Sequence, residues 1–145
     1  MPANASIYIP HDRVDLRKQF DGVQTDSGFL RKPTYFEFAL GHSKVRFNIM
    51  PADEIPRHLA GFVGYIRQLQ DPATNRADAE KAIARTRTVL GLVTGHEFID
   101  NHAIWASLFR IADAYDGYVF VYDSVLLPNG AAMVGPMRTS TEQRI

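Results

Sequence analysis

Residues 100–134, DNHAIWASLFRIADAYDGYVFVYDSVLLPNGAAMV, hold a helix, a stop, an apolar strand, a turn and a return strand in one run. Ile104, Trp105, Leu108, Phe109, Ile111, Ala112 and Tyr115 recur at three- and four-residue spacings, the pattern of a helix that buries one side. Trp105 and Phe109 are expected in the main core. Asp100 or Asn101 supplies an oxygen for the free N–H groups of the first turn, and Gly117 stands where a left-handed residue ends the last one. Tyr118 to Tyr122 is β-branched and aromatic throughout, too apolar on both sides for an edge, and alternation carries the strand on to Leu127. Pro128-Asn129-Gly130 then predicts a tight turn, with Ala131 to Val134 returning antiparallel.

Upstream, Phe36, Phe38 and Leu40, then Val45, Phe47 and Ile49, alternate with other residues around a turn at Gly41 to Lys44, so two half-buried strands are expected. Pro56, preceded by Asp53 and Glu54, opens a helix with Leu59, Phe62, Val63, Ile66 and Leu69 on one side. Gly61 and Gly64 inside it each cost on the order of 1 kcal/mol relative to alanine, which points to close approach of another backbone or, as the second reading, to a less stable helix. After Asp71-Pro72, Asn75 is placed to cap a further helix carrying Ala79, Ala82, Ile83 and Thr86, and Val89 to Thr94 reads as a strand, with continuation of that helix as the alternative. Ser6 to Ile9 stops at Pro10 and reads as an edge strand, because proline cannot donate to a ladder. Residues 10–33 lack either period and read as a long loop with one helical turn, a first place to seek a binding surface. Residues 138–145 read as a polar, frayed tail.

The 145 residues suit one domain, and 46% hydrophobic with 11% aromatic content supports a substantial core. Sixteen basic and sixteen acidic residues leave no broad positive field for phosphates, so nucleic-acid binding is not expected. The absence of cysteine excludes disulfides, thiolate metal sites and cysteine nucleophiles. With no basic leader and no long apolar run, a soluble cytoplasmic protein without membrane contact is expected. The element order predicts a single α+β domain: an antiparallel or mixed sheet of about five or six strands, with about three helices on one face.

Chemistry-bearing residues are dispersed. His96-Glu97-Phe98-Ile99-Asp100 resembles half of a zinc-protease helix, but the second histidine is missing and Asp100 reads better as a helix cap, so no metal is expected. Asp123 shares its strand side with Val119, Val121, Val125 and Leu127; there it is either a partnered buried acid or is turned outward by a bulge. Asp123, His96 and Glu97 are the catalytic candidates. His11, His42, His58 and His102 make no close pair at ligand spacing, and Arg76, Lys81, Arg85 and Arg87 spread around their helix as a solvated face. No nucleophile elbow, phosphate loop or dinucleotide fingerprint occurs, so no cofactor is expected.

These features favour a non-enzymatic protein-interaction module of inhibitor, immunity or regulatory type and bacterial origin. The partner is another protein or a second copy in a homodimer that uses surplus aromatic surface. The competing reading is a small hydrolase or small-molecule enzyme built on the dispersed acids and histidines.

Overall fold

The computed structural model describes residues 4–28, 31–94 and 101–138. The strands are β1 (Ala5–Ile9), β2 (Gln24–Thr25), β3 (Tyr35–Leu40), β4 (Ser43–Ile49), β5 (Thr88–Val93), β6 (Tyr118–Val121), β7 (Ser124–Leu126) and β8 (Ala132–Val134). They form one sheet of order β2-β3-β4-β5-β1-β6-β7-β8, with every neighbouring pair antiparallel. The helices are α1 (Ile55–Arg67), α2 (Ala73–Ala84) and α3 (His102–Tyr115), with single 3-10 turns at Leu16–Lys18 and Ala52–Glu54. The fold is therefore α+β as expected, with more strands than the expected five or six.

The helices do not share one face, which corrects the expected layering. In β1, Ala5, Ile7 and Ile9 point to the side where Ile104, Leu108, Ile111 and Ala112 of α3 pack. Tyr8 points to the opposite side, where Ile55, Phe62 and Ile66 of α1 and Ala79 and Ile83 of α2 gather with Val89 and Val125. The cause lies in β1 and β6: both are apolar on each side (Ile7 and Ile9 against Tyr8, Val119 and Val121 against Phe120), so a single helical layer would leave half of that surface in water.

β1 is also no edge strand. It lies between β5 and β6, paired from Ala5 to Ile9 with one and from Ala5 to Tyr8 with the other. Pro10 follows the last paired residue, so its missing N–H falls outside the ladder, and the Ile9 carbonyl accepts from Arg87 N–H at 2.8 Å. Residues 10–33 contain the expected helical turn plus the short β2. Leu16 is fully buried there, Phe20 stacks on Phe38 with centroids 4.4 Å apart, and Tyr115 Oη binds the Asp15 backbone and Gln19.

Helix α3 starts as expected, Asn101 Oδ1 accepting from Ile104 N–H at 3.2 Å. Its stop differs by one residue: Asp116 takes the left-handed conformation (φ 55°, ψ 39°) and Gly117 follows it. Gly117 is needed for space, since a Cβ there would stand 3.0 Å from the Tyr8 carbonyl oxygen and 3.1 Å from Ile9 Cγ1. Trp105 and Phe109 are half-buried on the flank of α3, against each other and Tyr122; the helix face turned to the sheet is Ile104, Ser107, Leu108, Ile111 and Ala112. Helix α2 begins before Asn75, whose side chain instead donates to the Met133 carbonyl at 3.0 Å.

The apolar run 118–127 is two strands. Tyr122 (φ 49°) and Asp123 (φ 61°) form a two-residue turn between the paired Val121 and Ser124, the positive-φ pair of a type I′ hairpin. The Pro128-Asn129-Gly130 turn forms as expected, with Leu127 N–H donating to the Ala131 carbonyl at 2.8 Å, and β8 pairs with β7 across a bulge.

Candidate functional site

Helix α1 carries two stripes. Ile55, Phe62 and Ile66 are buried against the sheet. On the flank, Pro56, Leu59, Ala60, Val63 and Arg67 follow one another at the three- and four-residue spacings that share a helix side. This flank, with Ile55, Ala84 and Thr86, lines an open groove of about 570 Å³ whose only charged lining residue is Arg67. Leu59 and Val63 were expected to be core; they are half-exposed and face the groove. A Cβ built at Gly61 or Gly64 meets nothing within 4 Å, so the close approach expected at these glycines is not made inside the described chain.

The helix that lines the groove has acids ahead of it and a cation in its last turn. Asp53 and Glu54 lie exposed in the 3-10 turn that leads into α1, and Arg67 closes the helix with its Nε 2.9 Å from Glu80 Oε1. Carboxylates ahead of a helix and a cation in its last turn also suit the helix dipole. Among the described residues the one exposed large hydrophobic is Val93 at 50%, so the surplus aromatic surface expected for a dimer is not found there. Phe20, Tyr35, Tyr65, Trp105, Phe109, Tyr118 and Phe120 are each partly covered.

A second constellation lies at the inner side of α1. Tyr8 Oη and His58 Nε2 are 2.8 Å apart, with the rings nearly parallel, and Phe62 meets Tyr8 edge-on. Burial pushes the Tyr8 phenol well above its ordinary value, and a hydrogen bond with Ser6 only partly opposes this. The phenol therefore stays protonated at neutral pH and is no nucleophile. The sequence hid this pair because its members are 50 residues apart. Fold alone joins them.

Beyond the sheet half that α1 and α2 cover, β3 and β4 carry a charged cluster. Glu37 binds Lys44 Nζ through Oε1 and Arg46 Nε through Oε2, both at 2.8 Å, and the Arg46 guanidinium lies 4.0 Å from the Tyr35 ring centroid. Hydrogen bonds from Lys44 and then Arg46 hold the Glu37 carboxyl below its usual range. A polar cleft of about 380 Å³ sits elsewhere, lined by Arg17, Lys18, Phe20, Asp21 and Arg110 among others. Arg17 is already engaged by Asp15, and Arg110 lies over the Phe20 ring.

The catalytic candidates are not brought together. Asp123 is exposed at the tip of the β6–β7 hairpin, turned out by a turn and not by the bulge considered from sequence, and its carbonyl accepts from Tyr65 Oη at 2.7 Å. His96, Glu97 and Asp100 lie outside the described residues. Among the described residues no group of three His, Asp or Glu is placed to hold a metal, and no helix is long and apolar enough to cross a membrane. The stripe at Pro56, Leu59, Ala60, Val63 and Arg67 was missed because it shares the period of the core stripe. Its signal was width, since apolar residues cover more of α1 than one buried face requires. Comparison with family models, curated proteins and solved structures finds no match.

Proposed function

We propose that this chain is a non-enzymatic protein-interaction module that seats a partner protein along the α1 flank. The observation that carries the reading is the apolar groove of Pro56, Leu59, Ala60 and Val63, with Arg67 in its lining and the acidic Asp53-Glu54 turn just ahead of the helix. Water left on such a surface is unfavourable by roughly 25 cal/mol for each Å² of apolar area, which a protein surface recovers on docking. An inhibitor or regulatory role fits a surface that needs no chemistry of its own.

The test is a photoreactive phenylalanine analogue placed at Val63 and, as a control, at Asp113 on the outer side of α3, followed by irradiation in the native cell. A discrete adduct from position 63 that is lost on adding Ala60→Arg is expected, with none from position 113. Equal labelling at both positions, or none at 63, rejects the reading. The enzyme alternative keeps one supporting observation, the Tyr8–His58 hydrogen bond, which joins two side chains of acid-base type. His58→Ala leaves partner capture unchanged if the groove reading holds.

A further inference from the structure

We propose that the occupant of the α1 groove is the same groove of a second copy, the two α1 helices crossing antiparallel about a two-fold axis. The proposal rests on the interaction reading above and names its partner. Three observations lead to it.

The first is the order of charge. Asp53 and Glu54 precede α1 and Arg67 ends it, so a parallel partner would set like charges together, whereas an antiparallel copy sets Arg67 of each chain against the acidic turn of the other. A guanidinium has five N–H donors, and the bond from Nε to Glu80 leaves the fork able to reach a further carboxylate. The second is register. The alignment that places Pro56 beside Arg67 of the other helix also places Ala60 beside Val63, and Leu59 beside Gly64. A thirteen-residue helix is about 20 Å long, so this one register spans the whole groove and uses both charged ends. The third is fit. Space for a Cβ at Gly64 is empty within the chain, and in this register the bulky Leu59 of the other copy lies over it. The residue that costs α1 helix propensity thus admits a partner side chain, and each copy gives and receives the same contact, as an isologous interface requires.

One helix pair with its flanks covers less than the roughly 800 Å² per partner of a standard interface, so the dimer is weak and its population depends on concentration. Sedimentation equilibrium of the full chain, from about 1 µM to about 1 mM, reads it directly. The expected weight-average mass rises from that of the 16.3 kDa monomer toward twice that value. Arg67→Glu is expected to weaken association about tenfold, because each dimer holds two such charged contacts. Adding Asp53→Lys and Glu54→Lys to the same chain restores it, since the reversed ends again attract. Gly64→Leu introduces a good helix former and blocks Leu59 of the other copy, so it gives a folded monomer. A wild-type mass that stays monomeric throughout overturns the proposal. So does association that Gly64→Leu and Arg67→Glu leave unchanged, or a charge-reversed chain that folds and fails to re-associate. The Val63 photo-adduct separates the two failures: a heterologous adduct with a monomeric chain removes the second copy and keeps the groove, while no adduct of any kind removes both.

Discussion

The two faces of the sheet are covered to different degrees. On one, α3 and the N-terminal loop cover β1, β3, β4, β5 and β6 with buried Leu16, Ile104, Leu108 and Ile111 against Phe36, Phe47 and Leu90. On the other, α1 and α2 cover Tyr8, Val89, Val125 and Val134, while β3 and β4 show Tyr35, Glu37, Lys44 and Arg46. The first face is closed apart from the polar cleft between the N-terminal loop and Arg110; the second has an open groove, two helix glycines where an added Cβ meets nothing within 4 Å, and a charged sheet surface. If the groove binds as proposed, truncation on the first face should cost stability and truncation in the groove should cost association.

The largest test of that difference sets Leu108→Ala beside Val63→Ala. Leu108 is fully buried beneath α3, so its truncation is expected to cost about 2–5 kcal/mol by lost transfer and cavity formation. Val63 is half-exposed in the groove, so its truncation is expected to cost less than about 1 kcal/mol in dilute protein. Urea titration of both variants is the measurement. Equal losses would erase the distinction between the faces.

The closed face was the more legible in sequence, for physical reasons that particular residues show. The three-four period of α3 and its cap at Asn101 are local signals, and both are present in the structure. The pairing of β1 between β5 and β6 is not local: nothing in Ser6 to Ile9 distinguishes an edge from a centre, and Pro10 misled because its position relative to the last paired residue is a matter of register. Tyr122-Asp123 was hidden differently. Neither residue favours positive φ as glycine does, so the hairpin is imposed by the pairing of Val119 with Leu126 and Val121 with Ser124. On the open face, Leu59 and Val63 look like core by spacing, and only the docking of α1 on the sheet and α2 decides which of its apolar stripes is covered.

Glycines give a finer test of the same contrast. Gly117→Ala adds a methyl 3.0 Å from the Tyr8 carbonyl oxygen, at the seam where α3 returns to β1, and is expected to destabilise by about 1–3 kcal/mol. Gly61→Ala adds the same methyl where nothing lies within 4 Å, in a helix interior, and is expected to stabilise by about 0.5–1 kcal/mol. Thermal unfolding of dilute samples reads both signs. A destabilised Gly61→Ala would mean that the space beside Gly61 is already filled.

The smallest effect belongs to the charged sheet surface. Glu37 is held below its ordinary carboxyl range by Lys44 and Arg46, so the folded state takes up a proton at lower pH than the unfolded chain does. By linkage, this contribution is fully present above the unfolded-state pKa of about 4.3 and is lost as pH falls through the lower folded value. Glu37→Gln should therefore be slightly less stable than wild type at pH 7, and the difference should close in acid. Because the cluster faces solvent, about 0.5 M salt should also shrink the difference at pH 7. Unfolding titrations of both chains at pH 7 and about pH 3, with and without salt, test this. A difference that persisted in acid would assign Glu37 a role in packing, and the bare half of the open face would then be held by more than charge.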